Sequence, residues 1–313
     1  MQQQRQESQR CALCPAGCEL ALVRAGPDKW RIEYPSKGGQ GVCPRGSALG
    51  ELLTHYRRIV APAQREGGRL TSVTMSSAVQ RILDAAGDKL VLLLDGNVPV
   101  EQMAAAAAWC RDFPAARLCL VVEPAEDELL LGAEASDANY LADRELAGCD
   151  GFVIIGDAFA ANPVCSRGVF DRRRADARTP IIAIDAARGT PWKFASHPLP
   201  TPPGAEFAVL GALAAAAGVG AAPSDAPPCP AVAEAGKAIA TCKRLAVLVA
   251  AEHGRGGIWR QIGYAAGRLA KALGGGLAVQ TAGANALAAV RMAGRLGTVS
   301  LAKALAEFLF DTA

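Results

Sequence analysis

The sequence predicts an α/β protein, with doubly wound parallel sheets behind a small N-terminal head rich in cysteine and glycine. Five continuous apolar runs, KLVLLLDG, RLCLVVE, GFVIIGD, PIIAIDA and LAVLVAAE, alternate with helical patterns. Unbroken apolar strands separated by helices belong to parallel sheets covered on both faces. Four cysteines, Cys11, Cys14, Cys18 and Cys43, are spaced C-x2-C-x3-C-x24-C. The length, 313 residues, is enough for a substantial core and for two or three domains.

The head occupies residues 11 to about 55. Within it, LALVRAG and KWRIEY read as two short strands separated by the turn Gly26-Pro27-Asp28. A unit this small has little core of its own, and a bound metal would act as its staple. A cubane iron–sulfur cluster needs four converging thiolates, three of which usually come from one tight loop and the fourth from a distant return of the chain. Pro15 and Gly17 lie inside the first loop, and Gly41 and Gly46 flank Cys43. Glycine lets the backbone turn tightly and bring its N–H groups close to sulfur. Cys11, Cys14, Cys18 and Cys43 are therefore expected to ligate one [4Fe–4S] cluster. Zinc is the competing metal, but structural zinc sites come as two C-x2-C pairs or as one such pair with two distant histidines. No histidine precedes His55. Four inert buried thiols are a third reading. Disulfides fit least, because nothing else in the sequence points to secretion.

Behind the head, helices are expected over Val100 to Phe113, which ends at Pro114, over Pro163 to Asp176, and over Gly204 to Ala217. Another is expected over Ile258 to Leu273, where Ile262, Ala265, Ala266, Leu269 and Leu273 form one stripe. GLAVQT is further strand material. Pro198 to Pro203 and Ala221 to Pro230 read as proline-rich connectors, the second as an interdomain crossing.

The formal charge of +3 gives no electrostatic case for nucleic acid or an anionic membrane. The alanine-rich stretches are broken by charge, glycine or proline before they could span a bilayer, so no membrane insertion is expected. Met1 to Arg10 is polar and has no apolar h-region, so the expectation is a chain without a secretory signal. Ten cysteines in such a chain fit a reducing compartment and a metal cofactor, and a cytoplasmic location is expected. The loop His253-Gly254-Arg255-Gly256-Gly257 lacks a full phosphate-binding pattern and reads first as a plain strand-to-helix turn, with a phosphate or pterin cradle of backbone N–H groups as the alternative. Cys110, Cys149, Cys165, Cys229 and Cys242 have no cluster spacing and read as buried or half-buried thiols. Asp171 to Arg174 and Arg178 read as a solvated helix face or a contact with a partner. None of the three histidines pairs with Ser or Cys in a hydrolytic pattern.

The motifs CALCPAGC and GVCPRG, followed by CDGFVIIGDAFAANPV, PIIAIDAARGTPWKFA, PGAEFAVLGAL and the returning LAVLVAAEHGRGG…ALGGGLAVQTAGANALAAVRMAG, resemble the molybdopterin oxidoreductase family. That family includes formate dehydrogenases, the catalytic subunit of formylmethanofuran dehydrogenase and the large iron–sulfur subunit of complex I. The last of these kept the fold without the pterin. The resemblance covers nearly the whole chain, although only the cysteine motif is individually specific. It implies a cluster head at 1–55, a first Rossmann-like domain from 56–120 plus 229–313, and a second inserted at 121–228. It also implies a cation just past the fourth cysteine, between cluster and pterin. Arg45 stands at that place, and the plain alternative is a surface arginine.

The departures from the family pattern bear on cofactor content. Gly156 and Pro163 match the family's strand-end loop, but Asp157, Ala158 and Phe159 replace its small-Asn-Pro triplet. The family's Asp-Pro-Arg appears as Asp185, Ala186, Ala187, and its Pro-Gly-Thr-Asp as Pro203, Gly204, Ala205, Glu206. Cys119, inside an apparent strand, reads as a buried thiol rather than a catalytic metal ligand, and Ser136 is a weaker candidate for that role. A C-terminal β-barrel cap is expected to be missing, and with it half of a pterin-binding surface. The expectation is an electron-transfer and structural subunit of a multi-subunit cytoplasmic oxidoreductase. It would carry one [4Fe–4S] cluster, no molybdopterin guanine dinucleotide and no catalytic residues, and its partners would be other subunits of a redox complex. One alternative is a catalytic Mo- or W-pterin subunit acting on formate or a formyl group. Another is a zinc-stapled scaffold.

Overall fold

The computed structural model describes residues 6–27, 29–34, 43–86, 90–221, 229–251 and 258–298, in two units. The first unit holds residues 1–11, 18–121 and 287–313. Its chain starts as β1 (Gln6–Arg10), β2 (Glu19–Gly26) and β3 (Lys29–Glu33), an antiparallel sheet in that order. Leu20 and Leu22 on one face of β2, and Ala21 and Val23 on the other, are all buried. After Cys43 come α1 (Pro44–Ser47) and α2 (Leu49–Thr54). Gly50 lets α2 approach β3, since a Cβ there would lie 2.5 Å from the Trp30 carbonyl oxygen.

A hairpin follows, β4 (Ala63–Glu66) and β5 (Arg69–Ser72), turned by Gly67 and Gly68 at φ of 52° and 83°. Next are α3 (Met75–Ala86), β6 (Leu90–Asp95), α4 (Val100–Asp112) and β7 (Ala116–Val121). β6 and β7 pair in parallel with α4 as their crossover, the βαβ arrangement expected from KLVLLLDG, the alanine-rich helix and RLCLVVE.

The second unit holds residues 12–17 and 122–286. It continues with α5 (Pro124–Ala135), a 3-10 turn over Asp143–Gly148, β8 (Gly151–Ile155), α6 (Ala158–Ala161) and α7 (Cys165–Ala175). Then come β9 (Ile181–Asp185), a second 3-10 turn over Pro191–Phe194, β10 (His197–Pro200) and α8 (Glu206–Ala216). The unit closes with α9 (Pro230–Ala240), β11 (Leu245–Ala250), α10 (Ile258–Ala272) and β12 (Gly276–Gln280). α11 (Ala286–Ala293) follows in the chain, and from Leu287 onward the residues are counted with the first unit. The five strands form one parallel sheet in the order β10-β9-β8-β11-β12.

Burial explains why these apolar runs have no polar alternation. Val153 and Ile155 of β8 face a core with Leu129 of α5, Ile239 of α9 and Ile262 and Leu269 of α10. Phe152 and Ile154 face the opposite core with Leu146, Phe159 and Val169. Each fully buried aliphatic side chain contributes about 1.5–3 kcal/mol, so a strand covered on both sides gains at every residue. α5 and α10 cross very closely. A Cβ on Gly132 would fall on the Arg260 carbonyl oxygen, and one on Gly263 on that of Leu129.

Two expectations need correction. β11 pairs with β8, so residues 229–286 complete the sheet begun in 122–228 instead of joining 56–120. The head and residues 56–120 also fall within one unit. An apolar run announces a strand but does not name its partner. The connector expected at Pro198 to Pro203 begins as strand β10. Proline cannot donate to a ladder but is tolerated on a sheet edge, and β10 is that edge. The second connector lies mostly outside the described residues, as does the loop at His253. Among the described residues, no helix is long and apolar enough to cross a membrane, and the sheets found are open, with no barrel.

Candidate functional site

All four cysteines of the motif are buried: Cys11, Cys14, Cys18 and Cys43. Cys11, Cys18 and Cys43 belong to the first unit, and Cys14 to the second. The Cys11 N–H donates to the Cys18 carbonyl at 2.8 Å, which closes the base of the intervening loop. Inside that loop the Gly17 N–H donates to the Cys14 carbonyl at 3.3 Å, with Gly17 at φ 53°. That left-handed turn is one glycine adopts without strain.

In the first unit, Cys43 is the N-cap of α1, and its Sγ accepts the Gly46 N–H at 3.3 Å. Gly46 is needed for space: a Cβ there would stand 2.7 Å from Tyr34 Oη and 3.7 Å from Cys43 Sγ. Tyr34 Oη is buried beside Ser47. Burial pushes the Tyr34 pKa up. Ser47 pulls against it, and thiolate charge at Cys43, Cys11 and Cys18 pushes the same way as burial. Arg45, one residue beyond Pro44 on α1, is exposed.

In the second unit, the Cys14 thiol lies 3.9 Å from Asn162 Oδ1. Asn162 is buried and fully committed. Its Nδ2 donates to Asp143 Oδ2 at 2.9 Å and to Gln280 Oε1 at 2.9 Å, and its Oδ1 accepts the Val164 N–H at 3.0 Å. Burial raises the Asp143 pKa, with the hydrogen bond from Asn162 acting in the opposite direction. Sequence reasoning missed Tyr34, Asn162, Asp143 and Gln280. Asn162 stands beside the noted Pro163, yet nothing in its spacing marks it as the anchor of a buried polar cluster.

The ends of β8 and β9 carry the departures from the family pattern. Gly156, at φ 70°, lets β8 end against β11, where a Cβ would lie 2.5 Å from the Ala250 carbonyl oxygen. Asp157 Oδ1 then caps α6 by accepting the Ala160 N–H at 3.0 Å, and Oδ2 accepts the Thr190 N–H at 3.1 Å. Asp185 accepts the Ala187 N–H at 3.0 Å. A Cβ on Gly189 would lie 2.9 Å from Asp157 Oδ2 and 3.3 Å from Asp185 Oδ2, so both carboxylates border the same glycine. Ala158 and Phe159 are buried in the apolar core, and Phe159 meets Phe170 edge-on at 5.6 Å. They present no polar group at this strand end.

Cys119 is buried, and burial raises its pKa. Ser136 ends α5 and donates to the Ala133 carbonyl at 2.6 Å. Cys149 and Cys165 are buried, and Cys110 and Cys242 are half-buried. Cys229 differs from expectation in being exposed, because it precedes α9 rather than pointing into its packed face. Arg174 pairs with Asp171 at 2.8 Å and Arg178 with Asp176 at 3.2 Å on an exposed surface. Among the described residues no group of three or more His, Cys, Asp or Glu side chains is gathered as a metal cage.

No protein-family model matches the sequence, and no curated protein matches it. In fold, the chain is similar to acetylene hydratase from Pelobacter acetylenicus, with a TM-score of 0.62 and 13% identity over 85% of this chain and 42% of that one. The chain therefore spans about two fifths of that protein's length. It also matches a chain of the formyltransferase/hydrolase complex FhcABCD from Methylorubrum extorquens, solved with methylofuran, at a TM-score of 0.49 and 18% identity over 76% of this chain and 66% of that one.

Proposed function

We propose that this chain is a one-electron relay and structural subunit of a larger oxidoreductase, built on a molybdopterin-oxidoreductase-like fold. Cys11, Cys14, Cys18 and Cys43 would hold one [4Fe–4S] cluster. The observation that carries this reading is the burial of all four thiols of a C-x2-C-x3-C-x24-C motif. Buried thiols with raised pKa values are inert, whereas thiolates that bind iron need N–H groups nearby to offset their charge. The Gly46 N–H already points at Cys43 Sγ, and the loop between Cys11 and Cys18 is closed by its own backbone hydrogen bond. The donor set is all sulfur, which suits iron–sulfur chemistry.

The cluster would supply reversible one-electron transfer, with the added charge spread over several metal and sulfide centres. The chain's residues would set its stability and potential. Cys43 and Gly46 supply one ligand and its compensating dipole. Arg45, exposed on α1, would favour the reduced state through its positive charge and could face a second redox centre.

A degenerate pterin site completes the reading. Asp157 and Asp185 put two carboxylates at neighbouring strand ends, where a pyrophosphate would meet like charge. Phe159 is turned into the core, so the strand end offers little to hydrogen-bond a dinucleotide. Partner subunits would then provide the electron donor and acceptor. Metal and pterin analysis of the anaerobically purified chain tests this. The reading expects about four iron and four acid-labile sulfide per chain without molybdenum, tungsten or guanine nucleotide. Stoichiometric Mo or W with extractable guanine nucleotide would replace it with the catalytic alternative.

A further inference from the structure

We propose that residues 54–85 of the first unit form a docking surface for an acidic amphipathic helix of a partner subunit. The inference rests on the reading of the chain as a subunit of a larger assembly, and it is independent of the cluster. The stretch is folded. Its hairpin, β4 and β5, is closed by the Val73 N–H donating to the Pro62 carbonyl at 3.0 Å. Thr74 Oγ1 then accepts the Ser77 N–H at 3.2 Å, at the start of α3. Yet none of these residues is buried. A two-stranded hairpin and a 12-residue helix are each marginal in water unless an apolar face is covered.

α3 has such a face. Met75, Val79, Ile82 and Leu83 recur at i, i+4, i+7 and i+8, the spacing of one helix side. All four are exposed, Met75 at 66%. Ser77, Gln80 and Asp84 fall on the opposite side. Ile59 and Val60, just before the hairpin, are each 84% exposed, and Leu70 of β5 is 66% exposed. Large apolar surface of this kind marks an interaction site.

Charge identifies the partner. The stretch holds five arginines, Arg57, Arg58, Arg65, Arg69 and Arg81, against Glu66 and Asp84. That leaves a net charge of +3, as much as the formal charge of the whole chain. All five arginines are exposed, and among the described residues none of them is in an ion pair. Uncompensated arginines next to an apolar stripe fit a helix that presents aliphatic side chains flanked by carboxylates. An occupant of about three turns would match the length of α3. A membrane surface fits less well, because helices that lie on membranes carry many Lys and Arg on their polar face. α3 has only Arg81.

The experiment uses the full chain and two synthetic helical peptides that share one leucine stripe and differ only in flanking glutamates or lysines. Affinity is read by fluorescence anisotropy, and cover over residues 75–86 by hydrogen exchange. The glutamate peptide should bind at least about tenfold more tightly than the lysine peptide and slow exchange over 75–86. Val79→Asp with Ile82→Asp, both at exposed positions, should weaken that binding by at least about tenfold. Arg65→Glu, Arg69→Glu and Arg81→Glu together should turn the preference toward the lysine peptide. Equal affinity for both peptides, binding of neither, or undiminished binding by the V79D/I82D chain would overturn the inference. So would exchange over 75–86 that is already slow in the chain alone. If dilution relieves it, a second copy covers α3, and if dilution does not, the chain covers α3 itself. Stronger protection by vesicles of phosphatidylserine and phosphatidylcholine than by the glutamate peptide would assign the surface to a membrane instead. The native mass of the protein from its own cells separates the two readings. A monomer there would overturn the subunit reading and this inference with it, whereas a complex without selective peptide binding overturns this inference alone.

Discussion

The Gly46 N–H donates to Cys43 Sγ at 3.3 Å, so the fourth cysteine of the motif is also the cap of the helix that follows it. One side chain thereby starts α1 and, in the proposed function, would also be the fourth ligand of the cluster. In Cys43→Ser the hydroxyl can still cap α1, since serine is a good N-cap, but a hard oxygen replaces a soft thiolate. Iron and acid-labile sulfide should fall to background, while far-UV circular dichroism stays close to wild type. Retention of full iron content would remove Cys43 from the ligand set.

Asp143 gives a pH prediction. Burial holds its carboxyl above its ordinary value of 3.8, with the Asn162 hydrogen bond pulling it back. Below the unfolded pKa both states are protonated, and the contribution to stability is fully present. As pH rises, the unfolded chain ionises first, and stability falls until the folded pKa is passed. Asp143→Asn keeps an acceptor for Asn162 and cannot ionise. Chemical denaturation should show D143N gaining on wild type as pH is raised from about 4 toward neutrality. A difference that does not change with pH would contradict this.

The crossing of α5 and α10 predicts a purely structural effect. A methyl at Gly132 would fall on the Arg260 carbonyl, so Gly132→Ala must push the two helices apart and should cost about 1–3 kcal/mol in unfolding free energy. Gly294, whose Cβ would meet nothing within 4 Å, supplies the control, and Gly294→Ala should be close to neutral in the same thermal melts.

Asp157 ties α6 to the loop before Thr190 through two backbone N–H groups. Asp157→Ala removes a helix cap and leaves the Thr190 N–H without its carboxylate, which should cost about 1–2 kcal/mol. Hydrogen exchange of the Ala160 and Thr190 amides should accelerate. Unchanged protection at both would show that the carboxylate does not hold this loop.

Much of the fold could be read from the residues because burial on both faces of a strand leaves no polar positions. GFVIIGD, PIIAIDA and LAVLVAAE became β8, β9 and β11 within a residue or two. The stripe from Ile262 to Leu269 became the buried face of α10. Strand order could not be read, since the pairing of β11 with β8 depends on contacts about ninety residues apart that leave no periodic trace. The proline-rich His197–Pro200 strand hid behind its prolines. At the site, cysteine spacing picked out the buried thiols. Tyr34 and Asn162 had no such signal, because their roles depend on where the fold places a single hydroxyl or amide.

EPR of the chemically reduced, anaerobically purified chain, recorded beside Cys14→Ser, bears most directly on the whole account. The expected result is the paramagnetic signal of a reduced cubane in wild type, with iron and sulfide to match, and its loss in C14S. A silent wild-type sample containing zinc and no labile sulfide, or a C14S sample with the full signal, would contradict it.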